Sequence, residues 1–291
     1  MARRLYAANS GDDSISVISV ASKCEITRIP LLLTGCGPRR LAVVGSTLYR
    51  ADTFSGTVGR FPIERPHLQS EVTVGACPTD ISADTRHIFV ACGESNSLWK
   101  LNRRAFVPEL CVGTGAFPIG VAVKGDELAV AELLSGHICV HSVSDFEKKA
   151  EYTSEGMPFW VCACSAGWLC GGVTGDGRGI ITLFCGGKTA ALSLSCPASK
   201  AAVFFDGEKE KAVLAHVWDD GLSFVELTED GLALIGETPC GRMPDELCVD
   251  GAEGVIYVSC MMEDSVEAFS TSGEKLCAIR VGSEPRGLAL W

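Results

Sequence analysis

The sequence has little of what a membrane protein or a nucleic-acid-binding protein needs. Its 291 residues contain 25 Lys and Arg against 36 Asp and Glu, a formal net charge of −11. This excess repels phosphate backbones and anionic lipid headgroups, so neither nucleic acid nor a membrane is an expected partner. The longest uncharged run, residues 156–175, is interrupted by Pro158 and several glycines. It therefore predicts two buried strands and a turn rather than a transmembrane helix.

Familiar catalytic and cofactor motifs are also missing. The chain contains no C-x-x-C-H haem site, phosphate-binding loop, G-x-S-x-G elbow or H-E-x-x-H pair. No apolar segment follows the basic residues Arg3 and Arg4, so a secretory signal is not predicted. The chain has 15 cysteines, and in the absence of such a signal they are typical of a reducing compartment. We therefore expect a cytoplasmic protein with free thiols.

Proline, in contrast, recurs at a nearly constant interval along the whole chain. Seven of the 12 prolines each open a short apolar phrase, at positions 38, 78, 118, 158, 197, 244 and 285. Each phrase is followed by a β-rich run, a polar turn, an alternating run and a closing run, so that a unit has four strands. Four-stranded units of about 40 residues predict the blades of a β-propeller.

The chain ends predict how the propeller closes. Residues 283–291 contain only the first strand of an eighth phrase, whereas residues 3–33 begin at a second strand. If the tail pairs with the opening strand, the blades close into a ring without a free inner edge. We therefore predict an all-β fold, with residues 1–291 forming one seven-bladed β-propeller of four-stranded antiparallel blades. The C-terminal strand is expected to pair in the N-terminal blade.

The repeat units resemble those of the YVTN-type seven-bladed β-propeller family. The likeness covers essentially the whole chain and is best in residues 5–18 (LYAANSGDDSISVI) and 256–266 (IYVSCMMEDSV). The resemblance implies a fold and a face that carries function, because relatives include lactonase-like and lyase-like enzymes as well as binding proteins. A shared fold carries no chemistry by itself.

Propeller geometry places equivalent positions of the units in rings around one axis, so candidate residues can be found by position. The second strands are predicted to end at Asn9, Asp52, Cys92, Glu132, Val173, His216 and Cys260. Within this ring we predict a divalent-cation site with Asp52, Glu132 and His216 as metal ligands. Asn9, Cys92 and Cys260 are predicted to add ligand-binding groups. The alternative is that these side chains satisfy their own turns and line a water-filled channel.

His216 is the sharpest candidate for a catalytic residue. It lies in the segment Ala-His-Val-Trp-Asp-Asp, residues 215–220, and an imidazole has an ordinary pKa near 6.5. Beside carboxylates it can take a proton from a substrate carbon or activate water. The alternative is a strand-end histidine bonded to a loop carbonyl.

A second ring comes from the residues that follow each proline. If the chain ends meet, Arg286 lies beside Arg39 and Arg40. Three guanidiniums at one channel mouth can clamp a carboxylate or phosphate, which predicts a site for a small anionic ligand. The alternative is that Asp245 and Glu246 of the neighbouring blade neutralise Arg286.

Two features of residues 156–199 predict further binding surfaces, an aromatic pair at the channel mouth and an outer strand with few charges. Phe159 and Trp160 hold the same ring positions and would add an apolar wall that suits an aromatic ligand. Only three of residues 156–199 are charged, which leaves the outer strand of this fifth blade poorly guarded against pairing. We predict that blade 5 docks a protein partner or a second copy of the chain.

Two classes of function fit this sequence. The first is a cytoplasmic binding or scaffold protein with a small-ligand site at the channel mouth and a protein-docking blade side. The alternative is a lactonase- or lyase-like enzyme acting on a cyclic ester or a polar small molecule. In that enzyme His216 would be the general base, and Asp52 and Glu132 would hold a cation or the substrate. An enzyme should gather these residues into one concave pocket, whereas a scaffold leaves them apart.

Overall fold

The computed structural model describes residues 3–228 and 231–291. These residues form seven sheets of four antiparallel strands, each sheet being one blade of a propeller. The predicted all-β fold and the number of blades are thus confirmed. Within the described ranges the one helical element is a 3-10 turn, η1 (Met261–Glu263), and no helix there has the length and apolar character needed to cross a bilayer.

Strands are numbered in chain order, and blade 1 is the blade that contains the N-terminal strands. Blade 1 consists of β28 (Pro285–Leu290), β1 (Arg4–Asn9), β2 (Ser14–Ser19) and β3 (Cys24–Pro30), and blade 2 consists of β4 (Pro38–Val44), β5 (Thr47–Asp52), β6 (Thr57–Pro62) and β7 (Ser70–Thr73). Blade 3 consists of β8 (Pro78–Ala83), β9 (His87–Cys92), β10 (Ser97–Asn102) and β11 (Val107–Gly113). Blade 4 consists of β12 (Pro118–Lys124), β13 (Glu127–Glu132), β14 (His137–Ser142) and β15 (Lys148–Thr153). Blade 5 consists of β16 (Met157–Ala163), β17 (Trp168–Val173), β18 (Gly179–Cys185) and β19 (Lys188–Leu194). Blade 6 consists of β20 (Lys200–Asp206), β21 (Lys209–His216), β22 (Gly221–Thr228) and β23 (Gly231–Pro239). Blade 7 consists of β24 (Pro244–Asp250), β25 (Val255–Cys260), β26 (Ser265–Ser270) and β27 (Lys275–Arg280).

The repeated prolines mark the start of the innermost strands. Five of these strands begin at the proline itself, whereas β16 begins one residue earlier and β20 begins three residues after Pro197. Proline has no backbone N–H, and the first position of a strand is one of the few places in a sheet where that loss is tolerated. The proline interval therefore reports the spacing of the blades.

A β-bulge follows the proline in most blades and decides where side chains point. In blade 2, Pro38 pairs with Asp52 and Arg40 pairs with Ala51, so that Arg39 has no partner residue. Blade 5 has the same irregularity at Phe159. A bulge re-aims the side chain at its extra residue. In both blades the bulged residue stays partly exposed while the next residue is buried.

The chain ends meet as predicted. β28 pairs antiparallel with β1, with Leu5 opposite Leu290 and Ala7 opposite Leu288. Each innermost strand also contacts the innermost strands of both neighbouring blades, which closes the ring. This pairing covers the inner edge of β1, which would otherwise be open to pairing with another chain.

The hydrophobic core lies between blades rather than at the axis. Tyr6 and Phe61 belong to the cluster between blades 1 and 2, and Trp160 and Leu214 belong to the cluster between blades 5 and 6. Alternating side chains of each strand supply the two faces of its blade. The axis is therefore left to the residues of the innermost strands, whose side chains are not all apolar.

Two sets of connections that are predicted to surround the channel mouth lie on one face of the propeller. The turn after each second strand and the loop into each innermost strand lie at the end where the innermost strands begin. We call this end the loop face. The opposite end, which carries the other hairpin turns, is called the hairpin face.

Candidate functional site

The second strands end at the seven predicted positions, from Asn9 in blade 1 to Cys260 in blade 7. The structure nevertheless does not bring the predicted metal ligands together. Asp52, Glu132 and His216 lie in blades 2, 4 and 6, so that a whole blade separates each from the next. Among the described residues no group of three or more His, Cys, Asp and Glu side chains is arranged to hold a metal ion. The predicted three-ligand site is therefore not assembled.

Asp52 shows where the strand-end side chains go instead. Its carboxylate is fully buried and accepts hydrogen bonds from Arg50 Nε at 3.0 Å and from Thr57 Oγ1 at 3.2 Å. Burial raises the pKa of Asp52 to about 7, although the nearby Arg50 guanidinium opposes this shift. Arg50 also pairs with Glu71. Asp52 is thus part of a buried ion-pair network inside one blade.

Glu132 and Asn9 likewise bind their own turns and loops. Glu132 Oε1 accepts a hydrogen bond at 2.8 Å from the backbone N–H of Gly115, in the loop that leads into the same blade. Asn9 Nδ2 donates to the hydroxyls of Ser14 at 2.8 Å and Ser16 at 2.9 Å. The alternative stated for this ring, that it satisfies its own turns, fits both residues.

The two cysteines of the ring are buried thiols. Cys92 and Cys260 have no exposed surface. Burial raises the pKa of Cys92 to about 12, and a hydrogen bond with Cys240 together with burial raises the pKa of Cys260. A neutral thiol without access to solvent is a poor ligand-binding group. The predicted ligand-binding roles of both residues are not supported by their positions.

His216 differs from the rest of the ring because it borders a cleft. Its Nδ1 lies 3.3 Å from the carbonyl oxygen of Pro197, and its Nε2 lies 2.7 Å from Ser223 Oγ. Burial lowers the pKa of His216 from its ordinary value. The cleft has a volume of 270 Å³, and Ser223 and Glu237 are among its lining residues. Sequence reasoning found His216 but missed Ser223, which is two residues into the next strand.

Charged residues of the innermost strands cross the propeller axis. Arg40 Nη1 lies 2.5 Å from Asp245 Oδ2, and Arg40 Nε lies 3.3 Å from Glu246 Oε2. Lys200 Nζ reaches across to Asp80 Oδ2 at 3.2 Å and lies 3.9 Å from Glu246 Oε2. We call these five residues the axial network. Sequence reasoning did not assign Asp80 or Lys200 a role, although both follow a repeated proline.

The axial network is buried, and its charged residues shift one another's pKa values. Burial opposes ionisation of Asp245, but the guanidiniums of Arg40 and Arg39 outweigh it and hold the pKa of Asp245 well below its usual range. Burial raises the pKa of Glu246, with Lys200 and Arg40 opposing the shift. The predicted water-filled channel is therefore occupied at this level by paired side chains.

The predicted clamp of three arginines is divided by these contacts. Arg40 is committed to the axial network, whereas Arg286 Nη1 lies 3.8 Å from Asp245 Oδ1 with its side chain 24% exposed. Arg39 takes part in none of the ion pairs of the described residues, and its Nε has no hydrogen-bond partner. Arg286 is thus paired with Asp245, as the stated alternative expects, and of the three arginines Arg39 alone has no ion pair among the described residues.

The predicted aromatic wall is also divided. Trp160 is only 1% exposed, and its Nε1 donates a hydrogen bond at 2.9 Å to the carbonyl oxygen of Ala198 in the next blade. It fills the gap between blades 5 and 6 and cannot contact a ligand at the mouth. Phe159 is half-buried and packs against Trp218, with ring centroids 5.6 Å apart. The bulge between Pro158 and Trp160 separates the two aromatic residues.

The loop face carries acidic residues together with exposed apolar side chains, a combination that the rings of equivalent positions did not predict. Its turns and loops contain ten Asp or Glu residues and two basic residues, Arg178 and Arg242, in the described ranges. They also carry exposed large apolar side chains at Leu32, Leu33, Phe54, Leu134, Trp218 and Met262. The described turns of the hairpin face hold eight acidic and five basic residues, with Leu68 as the one exposed large apolar side chain. Among the described residues, the loop face therefore has fewer basic residues to balance its acidic ones, and more exposed large apolar side chains, than the hairpin face.

Blade 5 offers less exposed apolar surface than its sequence indicates. No residue of β19 belongs to the exposed large hydrophobic side chains of the described ranges, and Ala190 and Leu192 pack partly against the core. β19 also contacts β23, the outer strand of blade 6. Docking through blade 5 stays a prediction.

Comparison with known proteins supports the fold and no single activity. No protein-family model and no curated protein matches the chain. A functionally unknown protein from Desulfotomaculum acetoxidans is similar with a TM-score of 0.81 at 11% identity, over 99% of this chain and 98% of that one. The periplasmic gluconolactonase of Pseudomonas aeruginosa has a TM-score of 0.75 at 15% identity, over 100% of this chain and 99% of that one. Hydrazine synthase of Kuenenia stuttgartiensis matches with a TM-score of 0.75 at 15% identity, over 87% and 89%.

The chain is a seven-bladed β-propeller of the kind that gluconolactonases also use. Neighbours with such different names share the fold, so function has to come from the residues of this chain.

Proposed function

We propose that this protein is a binding propeller whose loop face docks a basic segment of another protein. The observation that carries the proposal is the combination of exposed apolar side chains with ten acidic residues in the loops of that one face. Large apolar side chains that are exposed on one face can serve as contact points for a partner protein. An acidic surrounding favours a partner of the opposite charge and repels acidic ones.

Four of the exposed apolar side chains support this proposal because they can act as anchors. Phe54 and Trp218 are 75% and 64% exposed, and each lies at the second position of a turn between second and third strands. Leu134 and Met262 hold the same position in blades 4 and 7. Large apolar side chains, aromatic ones above all, are the residues that contribute most to binding energy when a partner covers them. The proposed partner segment therefore combines Lys or Arg with large apolar residues.

The axial network supports a binding role over the predicted lactonase-like one. A catalyst of that type would gather His216, Asp52 and Glu132 around one substrate. The described blades keep these three residues apart, and paired charges fill the axis. A small anionic ligand at Arg39 and Arg286 is a second candidate, favoured by the unbonded Nε of Arg39.

A labelled peptide tests the proposed docking face. The probe is a fluorescein-labelled amphipathic peptide of alternating Lys and Leu pairs, with polylysine of equal charge as the non-apolar comparison. We expect the amphipathic peptide to bind more tightly than polylysine and to weaken as salt is raised. Trp218→Ser should weaken binding by about tenfold or more, as loss of an aromatic anchor does.

Phe205→Ser is the matched control, because Phe205 is 60% exposed at the hairpin-face end of β20. It should leave the affinity unchanged. Equal loss in the two variants, or equal affinity for both peptides, would show that the loop face is not the docking surface.

A further inference from the structure

Three neighbouring blades present apolar and acidic side chains in alternation on the loop face. The turns between second and third strands carry Phe54 in blade 2, Glu94 in blade 3 and Leu134 in blade 4, each at the second position of its turn. Phe54 and Leu134 are 75% and 64% exposed, and Glu94 is exposed as well. The proposed docking role needs apolar and acidic residues on this face, but it does not use their order.

The same backbone contact fixes these three turns, so their side chains hold equivalent places. The first residue of each turn donates its N–H to the carbonyl of the residue that precedes a repeated proline. These hydrogen bonds join Thr53 to Gly37 at 3.0 Å, Gly93 to Cys77 at 2.8 Å and Leu133 to Phe117 at 3.0 Å. The side chain that follows is therefore held at the same place in each of the three blades.

Two grooves lie beside the apolar side chains. The first has a volume of 490 Å³ and lies between blades 2 and 3, with Phe54 and Glu94 among its lining residues. The second has a volume of 400 Å³ and lies between blades 4 and 5, where Leu134, Met157 and Glu155 line it. Among the described residues, neither groove is lined by Lys or Arg. We call Phe54, Glu94, Leu134 and Glu155 the alternating row.

Blade spacing sets the register of a segment that follows the alternating row. Neighbouring blades pack face to face, and packed sheets lie about 10 Å apart. A polyproline II segment has about three residues per turn and advances roughly 9 Å per turn, so every third side chain points to the same side. One turn of such a segment thus matches one blade. Its positions i, i+3, i+6 and i+9 can meet successive members of the row.

We infer that the partner segment alternates a large apolar residue with Lys or Arg at every third position and lies extended across blades 2 to 5. This inference rests on the proposed docking function and adds the order of the partner's residues. Apolar residues of the segment pack on Phe54 and Leu134 beside the grooves, and its cations pair with Glu94 and Glu155. Any other order places cations on apolar side chains and apolar residues on carboxylates, which leaves charges unpaired.

Two peptides of identical composition test the order. Both are fluorescein-labelled ten-residue peptides with two prolines between successive anchor residues, because proline holds the polyproline II conformation. The alternating peptide has the anchors Leu, Lys, Leu and Lys, whereas the block peptide has Leu, Leu, Lys and Lys. We expect fluorescence anisotropy to show that the full chain binds the alternating peptide more tightly by about tenfold or more, because the block peptide loses an apolar anchor and an ion pair.

Charge reversal tests the position of the first cation. Glu94→Lys should weaken binding of the alternating peptide by about tenfold, because it replaces an exposed ion pair by a repulsion. Glu64→Lys is the matched control with the same net charge, since Glu64 is exposed in a loop of the hairpin face. It should leave the affinity unchanged at 0.15 M salt, where distant charges are screened. Both variants change exposed side chains, so their thermal unfolding should match that of the wild type.

Equal affinity for the two peptides would overturn the inference, as would equal loss of affinity in the two variants. Ten residues in this conformation span about 30 Å, which covers blades 2 to 5 and leaves Trp218 of blade 6 untouched. Trp218→Ser should therefore weaken the amphipathic probe and not the alternating peptide. Order-independent binding with a Trp218-dependent amphipathic probe would retain loop-face docking and remove the alternating row. Absence of binding by every peptide would remove both.

Discussion

Replacing Arg40 by Met removes the central cation of the axial network while keeping most of the side-chain volume. The Arg40 and Asp245 side chains are 8% and 9% exposed, and the pair is 2.5 Å apart. The variant leaves Asp245 with Arg286 at 3.8 Å and Glu246 with Lys200 at 3.9 Å as their nearest cations. Breaking a buried ion pair by removing one partner costs about 3 to 5 kcal/mol. We therefore expect the free energy of unfolding at pH 7.5 to fall by about that amount.

Thermal and chemical unfolding measure this loss. An unfolding entropy of about 2.1 cal/mol/K per residue converts this loss of unfolding free energy to a Tm decrease of roughly 5 to 8 °C for a chain of 291 residues. Arg28→Met is the matched control, because Arg28 pairs with Asp12 at 3.3 Å on the surface with its side chain 39% exposed. Exposed pairs contribute about 0 to 1 kcal/mol.

The pH dependence of the loss identifies its cause. In the wild-type chain Arg40 helps to hold the pKa of Asp245 below its ordinary value, so this contribution to stability is present at neutral pH and is lost in acid. Without Arg40 the folded-state pKa values of Asp245 and Glu246 rise, and both carboxyls can be neutralised by protonation. The stability difference between wild type and Arg40→Met should therefore shrink as pH is lowered from 7.5 to 5. A loss below about 1 kcal/mol, or one that is the same at both pH values, would refute the role given to the axial network.

Two further predictions concern closure and the channel mouth. A chain that ends at residue 282 lacks β28 and exposes the inner edge of β1. We expect this chain to lose its near-UV circular dichroism signal and to form aggregates that light scattering detects. A monomeric truncated chain with the wild-type Tm would contradict the closure of the ring. Millimolar citrate should raise the Tm of the wild-type chain through Arg39 and Arg286, and Arg39→Gln should abolish that increase, whereas Arg65→Gln on the hairpin face should retain it. An equal citrate effect in both variants would remove the anion site.

Strand positions could be predicted from the sequence because they depend on local chemistry. Proline at the start of an innermost strand and a polar turn after the second strand are encoded by neighbouring residues. The predicted second-strand ends, from Asn9 to Cys260, agree with the structure. The pairing of β28 with β1 could be predicted as well, because an unpaired first strand at one terminus and a missing one at the other leave one closed arrangement.

The direction of side chains could not be predicted in the same way. A ring of equivalent positions predicts that residues share a height along the axis, but it does not predict whether they point towards the axis or into their own blade. Asp52 and Glu132 point to partners inside their blades, and the bulge at Phe159 sends Trp160 into the gap between blades 5 and 6. For this reason the predicted metal site is not assembled although its residues are at the predicted strand ends.

The sequence by itself determined the number of blades, their limits and the closure of the ring, because these follow from a repeated pattern of turns and apolar strands. Only the tertiary structure decided that Arg40 meets Asp245, that Ser223 meets His216, and that acidic and apolar loops share one face. Such contacts join strands from different blades or depend on side-chain directions set by register and bulges. Their energies come from buried charges and hydrogen bonds whose partners are known only once the blades are packed.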